Sequence, residues 1–300
     1  MAASVAVSVV VVNWNAGAAL GACLASLAAD DAPGREVILV DNASTDGSTA
    51  AARAAHPALR VVETGANLGF AAGANAGAAV ARGDVLVFLN PDARVEPGAI
   101  ATLADALHAV PGAAIAGGGL RDERGRWQPG AARFAPVAHL LLDTTLGRLP
   151  GRRRRGVHRV DWVYGTFMAV RRDLFRQLGG FDPGYFMYGE DLDLCYRAAR
   201  VGARTLHVPA ARAVHGPNVS AAQRFGNGRE AEVVKSEMRF YAARGSRSAL
   251  ALYRIVGAAK FAAKTLLAAA SHRPEVASAY GRVVRACVTF DPRKADAVGA

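Results

Sequence analysis

The chain has 300 residues, 52% hydrophobic and 20% charged, enough apolar material for a full core, and this excludes a disordered or fibrous protein. Lys and Arg number 36 against 25 Asp and Glu, a net charge of +11. The excess favours an anionic partner, and charge alone does not rank nucleic acid, lipid headgroups and phosphate-bearing substrates.

Residues 5–12 are apolar, with no basic leader and no small-residue cleavage pattern before Asn13-Trp14-Asn15, and read as a buried strand, not a signal peptide. Helical patterns at 18–28, 49–55, 73–81 and 98–110 alternate with strand patterns at 36–40, 59–62 and 85–89. Short apolar runs between helices imply an α/β fold with a mostly parallel sheet flanked by helices, in which ligands bind beyond the carboxyl ends of the strands. The polar residues after the strands are therefore the candidates: Asn13, Trp14 and Asn15, then residues 41–47, then Asn90-Pro91-Asp92. Asp41 is placed to accept a hydrogen bond from a base or ribose, while Ser44, Thr45 and Asp46 are natural caps for the next helix. Asp92, with Asn90 two residues before it, has the form of a shortened oxygen site for a divalent cation bridging a diphosphate.

Arg152, Arg153, Arg154 and Arg155 form a basic run, readable as a solvated loop or as a contact for a diphosphate or for anionic headgroups. Residues 160–163 look strand-like. The run from Gly180 to Cys195 then packs Glu190, Asp191 and Asp193 into four positions after an aromatic, glycine-containing loop. Close carboxylates beside an apolar loop resist ionisation, which tunes one of them toward proton abstraction; first-turn acids favoured by the helix dipole are the plainer alternative. A strand is expected at 205–208, a turn at Pro209 and then His215, which has a metal-ligand side chain, whereas His207 reads as a strand residue. Helices are expected at 231–243 and 248–270. The second is of membrane-spanning length but carries Arg254, Lys260 and Lys264, each costing about 2.5–3.5 kcal/mol inside a bilayer. Leu250, Tyr253 and Phe261 fall among these cations on a helical wheel, so a helix on a membrane surface and a helix packed on the domain both stay open. Cys23, Cys195 and Cys287 show neither metal spacing nor a disulfide framework, which fits a reducing cytoplasm.

Taken in order, Val9 through Asn15, Asp41 through Gly47, Asn67 through Asn75, Phe88 through Asp92, Gly165 through Arg171, Gly180 through Cys195, and His215 with Ser220 resemble an inverting family 2 glycosyltransferase of the GT-A fold. Asn-Pro-Asp together with Gly-Gly-Phe-Asp-x-x-Tyr-Phe-Met-Tyr-x-Glu-Asp-x-Asp-Leu is most like bacterial rhamnosyltransferases of cell-wall linkers and surface polysaccharides. The resemblance implies a catalytic domain at residues 1–225 and a basic helical extension at 226–300. It implies a nucleotide-sugar donor, with dTDP-L-rhamnose favoured and UDP-galactofuranose or a UDP-N-acetylhexosamine left open. A lipid-linked or glycan acceptor, a divalent metal (Mn2+ or Mg2+) and a cytoplasmic location with peripheral contact to the anionic inner membrane face are also implied. Carried over residue by residue, Asn13, Trp14, Asp41, Asn67, Gly69, Asn75, Asn90 and Asp92 would line the nucleotide site. Asp92 and His215 would hold the metal, and Asn90 departs from the usual Asp of that motif. Asp191 would be the base with Glu190 beside it, and Trp162, Gly165, Tyr188 and Asp193 would face the acceptor. A nucleotidyltransferase would share the nucleotide edge but has no use for the Glu190-Asp191 loop. No nucleic-acid module accompanies the charge, so nucleic acid is not an expected partner.

Overall fold

The computed structural model describes residues 6–30, 34–134, 156–216, 223–245 and 247–291, in two compact units. Arg152 to Arg155 and Ser220 lie outside the described residues.

The first unit holds one large sheet. Its strands β1 (Val7–Asn13), β2 (Arg35–Asp41), β3 (Arg60–Glu63) and β4 (Val85–Leu89) run parallel in the order β3-β2-β1-β4. Every residue of β1 and β4 is buried, as expected for strands covered on both faces. The sheet continues through β11 (Phe167–Arg171), β6 (Ala113–Arg121), β12 (Arg204–His215) and β5 (Ala93–Val95). Here β6 and β12 are parallel, while β11 is antiparallel to both β4 and β6, and β5 is antiparallel to β12. Strand β7 (Trp127–Gln128) adds to β6 and β9 (His158–Val160) to β12, while β8 (Ala131–Ala132) and β10 (Trp162–Val163) pair separately. Helices α1 (Ala18–Ala29), α2 (Ser48–Ala55), α3 (Gly69–Val80) and α4 (Ala99–Ala109) connect the parallel strands, and α5 (Arg172–Gln177) and α6 (Glu190–Arg200) follow β11.

Two expectations change. Helix α3 begins at Gly69, four residues before the predicted start, because the Asn67 side chain accepts the Gly69 amide at 3.1 Å and turns the chain into the helix. Pro209 does not end a strand: β12 runs on to His215, and the Pro sits in a register shift between Val208 and Arg212, where no ladder donor is required. That extra length delivers His215 to the sheet edge. His207 lies within β12, edge-on to His158, and burial followed by the charge of His158 pushes its imidazole down to about 4.

The second unit contains α7 (Arg229–Arg244), α8 (Arg247–Ala270) and α9 (Pro274–Thr289) around Val234, Met238, Tyr241, Leu250, Tyr253, Phe261, Val283 and Cys287. Proline at the first position of α9 removes no helical hydrogen bond. The wheel conflict in α8 resolves because its cations accompany the packed face. Arg254 donates to the carbonyls of Cys287 and Val288, and Lys260 and Lys264 lie 4.9 and 5.0 Å from the Phe261 ring. From Ala251 to Ala270, every exposed residue of α8 is Ala, Leu or Ile. Among the described residues, no helix is long and apolar enough to cross a membrane.

Candidate active site

The order β3-β2-β1-β4 puts a topological switch between β1 and β4, and the candidate residues gather at the carboxyl ends of these strands. Asn13 closes β1 with its side chain fully buried. Its amide donates to the hydroxyls of Ser44, Ser48 and Thr49 at 3.1, 2.9 and 3.0 Å. The Asn13 side chain thus ties the end of β1 to the loop after β2 and the start of α2, which leaves its backbone for the nucleotide pocket; half-buried Trp14 follows it on the edge. Asp41 accepts the Ser44 amide at 3.1 Å, and Asn15 accepts that of Thr45 at 2.7 Å. Asp46 accepts the Ser48 amide and hydroxyl at 3.0 and 2.6 Å from one residue before the N-cap of α2, which is Gly47 and not one of the expected caps. Asn42, not singled out from sequence, is buried and donates to the Gly69 carbonyl at 2.8 Å.

Gly69 has φ +81°, and a Cβ there would lie 2.2 Å from the Phe186 carbonyl oxygen, so only glycine lets α3 start against the acidic loop. Asn75 grips the same loop from mid-α3: it donates to the Phe181 carbonyl at 2.8 Å and accepts the Phe181 amide at 2.9 Å. This corrects Asn75 from nucleotide ligand to loop tether. The Phe181 ring completes the anchor among Phe70, Phe88 and Phe175, with centroids 4.8 to 5.9 Å apart.

Asp191 and Glu190 begin α6, both buried. Asp191 accepts the Gly165 amide at 2.8 Å and the Leu192 amide at 2.7 Å. Gly165 is therefore a buried backbone donor to Asp191, not a flexible acceptor surface. The neighbouring Thr166 carbonyl accepts the Asn90 amide at 3.0 Å, which ties the Asp191 contact to the turn after β4. Burial pushes the Asp191 carboxyl up to about 6, against the opposing pull of its two amide donors. Burial, then the charge on Asp191, pushes Glu190 well above the usual carboxylate range, and its Oε2 has no hydrogen-bond partner.

Asp193 is fully buried and accepts from Arg197 Nε at 2.6 Å, while Arg197 also donates to the carbonyls of Leu178 and Gly180 at 2.7 and 2.8 Å. Of the structural and acceptor-positioning roles open to Asp193, these contacts supply the structural one: it holds the arginine that fastens the glycine turn ahead of the acidic loop. Trp162 is half-buried, donates to the Arg133 carbonyl at 3.2 Å and meets Tyr164 edge-on. Tyr188, at φ 71°, belongs to the second unit, where its hydroxyl accepts from Arg229 Nε at 3.0 Å.

Asn90 opens a turn in which its carbonyl accepts the Ala93 amide at 3.0 Å around Pro91. Asp92 follows, and the pairing of His215 with Ala93 brings the imidazole beside it. His215 Nε2 lies 3.5 Å from Asp92 Oδ1 with both side chains buried, and Nε2 makes no hydrogen bond. On the other side of the ring, His215 Nδ1 is 3.0 Å from Gln128 Oε1. Only an Nδ1–H can bond an amide oxygen, so in the neutral imidazole Nε2 presents a lone pair toward a carboxylate. Two buried acceptors facing each other suit a shared cation, and nitrogen with carboxylate suits Mn2+. Among the described residues no group of three or more His, Cys, Asp or Glu side chains is arranged to hold a metal ion.

Residues 8–179 match the model for glycosyl transferase family 2. The chain is 34% identical over 229 residues, 69% of its length and 75% of the relative's, to N-acetylglucosaminyl-diphospho-decaprenol L-rhamnosyltransferase of Mycobacterium tuberculosis. Over 56 residues, 19% of the chain and 21% of the relative, it is 54% identical to rhamnosyltransferase WbbL of Escherichia coli K12. Among solved structures it is similar to the mannosyltransferase PcManGT of Pyrobaculum calidifontis in complex with GDP-Man and Mn2+, with a TM-score of 0.58, 21% identity, 96% of this chain and 87% of that one. GalNAc-T7 with UDP, GalNAc and Mn2+ matches with a TM-score of 0.55 and 18% identity over 81% of this chain, which spans about half (51%) of that longer one. The chain belongs to glycosyl transferase family 2 and is a glycosyltransferase of the GT-A fold.

Proposed function

We propose that this enzyme transfers L-rhamnose from dTDP-L-rhamnose to a lipid-linked or growing glycan acceptor, with inversion at the anomeric carbon and Asp191 as the general base. The catalytic domain in this reading is residues 1–225, with 226–300 as the extension. The observation that carries it is the buried Asp191 carboxylate, held by the Gly165 amide at the sheet edge and raised to about 6. Such a group is ionised at neutral pH yet basic enough to take a proton from a hydroxyl. The acceptor oxygen attacks C1 as Asp191 removes its proton, and the bond from C1 to the diphosphate breaks. Asp41 and Trp14 receive the pyrimidine, Asn67 and Gly69 flank the ribose and diphosphate, and Asp92 and His215 hold the metal. When bound, the cation neutralises charge on the departing nucleoside diphosphate. The similarity to two rhamnosyltransferases supports rhamnose as the transferred sugar and, through the mycobacterial one, a diphospholipid-linked acceptor.

Calorimetry with dTDP-L-rhamnose, UDP-galactose, UDP-N-acetylglucosamine and GDP-mannose, each with Mn2+ and with chelator, tests the donor. Selective, metal-dependent binding of dTDP-L-rhamnose is expected, and preference for another donor would replace the sugar. In the same titration Asp92→Ala should weaken the metal-dependent part of binding, and unchanged metal dependence would refute that ligand.

A lipid-linked acceptor brings the enzyme to the inner membrane face, and the outer face of α8 has the character of a surface contact there. Leu252, Ile255, Leu266 and Leu267 are each at least half exposed, and residues 223–291 carry twelve Arg and Lys against five Asp and Glu, which complements anionic headgroups. Binding to phosphatidylglycerol-containing vesicles should fall about tenfold or more in Leu266→Glu/Leu267→Glu, given about 1.5–3 kcal/mol per buried leucine. Equal vesicle binding by wild type and variant, or self-association through this face without lipid binding, would contradict the membrane contact.

A further inference from the structure

We propose that Gln128 is a positioning residue for the metal-binding imidazole: it fixes His215 in the tautomer whose Nε2 faces Asp92. The inference rests on the reading of Asp92 and His215 as metal ligands and adds a residue that no sequence motif marked.

The geometry is a two-point clamp. Gln128 Oε1 lies 3.0 Å from His215 Nδ1, and Gln128 Nε2 donates to the His215 carbonyl at 3.4 Å. An imidazole carries its single exchangeable proton on either nitrogen, and only the Nδ1–H form leaves Nε2 able to bind a cation. The amide oxygen of Gln128 can accept but not donate, so it selects that form. The contact from Gln128 Nε2 to the backbone sets which end of the amide faces the ring, since a flipped amide would oppose two donors and two acceptors.

Gln128 is itself held in place. It occupies the two-residue strand β7, paired with Leu120 of β6, and a strand so short has little register of its own. Its neighbour Trp127 supplies the anchor. Arg121 stacks over the Trp127 ring at 4.7 Å, and the ring packs so close to Gly119 that a Cβ there would lie 2.8 Å from it. Strand β12, which ends at His215, pairs with the same stretch of β6 through Ala213 and Val214. One strand thus indexes both the amide and the imidazole. Partners behind a ligating histidine are typically worth about 10–100-fold in metal affinity.

The test combines two readouts on full-length protein. Nitrogen-15 NMR of the metal-free protein, with His215 assigned by His215→Gln, should show the Nδ1–H tautomer in wild type and its loss in Gln128→Leu. Electron paramagnetic resonance titration of Mn2+ in the presence of dTDP should show about 10–100-fold weaker binding in Gln128→Leu. Gln128→Glu, whose carboxylate still accepts from Nδ1–H, should restore both. An Nε2–H tautomer in wild type, or equal Mn2+ affinity in wild type and Gln128→Leu, would overturn the role of Gln128. Failure of wild type to bind Mn2+ with dTDP, with the Nδ1–H tautomer intact, would instead overturn the metal reading on which the proposal stands.

Discussion

Asp191→Asn should lower kcat by about 10²–10⁴-fold while dTDP-L-rhamnose binds as in wild type. The amide keeps the shape of the side chain and can still accept the Gly165 amide through its oxygen, so the sheet edge and the acidic loop stay in place. What is lost is the lone pair that takes the acceptor proton. Burial and the charge on Asp191 both push the Glu190 carboxyl above its usual range, which disfavours it as a replacement base. The same assignment sets a pH profile. A base must be ionised to act, and the Asp191 carboxyl is raised to about 6, so kcat/KM should climb with pH through about 6 and level off above it. Asp191→Asn should abolish that limb. Turnover within a few-fold of wild type, or an unchanged acid limb in the variant, would remove Asp191 from the role.

The second large effect is on stability. Arg197→Ala should cost about 3–5 kcal/mol, the range for stripping one partner from a buried ion pair. Asp193 would be left with its charge fully buried, and the carbonyls of Leu178 and Gly180 would lose their charged donor. Urea unfolding monitored by tryptophan fluorescence measures this. The double variant Asp193→Leu/Arg197→Leu should recover part of the loss, because no bare charge then remains in the interior. A cost below about 1 kcal/mol for Arg197→Ala would show that the pair is not holding the glycine turn.

The first half of the fold was legible because β1 and β4 are buried along their whole length and read as largely apolar runs: 85–89 matches β4, and β1 and the half-buried β2 lie within two residues of their expected bounds at either end. Local chemistry misled at Pro209, where the pairing of β12 with β6 tolerates a bulge that no short window reveals. The antiparallel insertion of β11 was equally invisible, since it depends on pairing with β4 across about 80 residues of chain.

Within the site, acids and histidine announced themselves by residue type, and the structure places Asp191 with Glu190 and Asp92 with His215. The amides did not separate in the same way. Asn13 and Asn75 are suited by chemistry to a nucleotide, yet each spends its side chain on another part of the chain, at separations of up to 106 residues. Asp193 could be structural or acceptor-positioning from sequence, and its pairing with the arginine four residues on, a helical spacing present in the sequence, gives it a structural part. Gln128 had no local signal at all, because its role exists only once β7 and β12 flank β6.

The most direct test of the central claim is to incubate the purified enzyme with dTDP-L-rhamnose, Mn2+ and an N-acetylglucosaminyl-diphospho-polyprenol, and to determine the product linkage by NMR. Rhamnose on the acceptor sugar, with anomeric configuration opposite to that of the donor and absent with Asp191→Asn, is the expected result. A product that retains the donor configuration, or equal transfer by Asp191→Asn, would contradict the assignment of Asp191 as the base of an inverting rhamnosyl transfer.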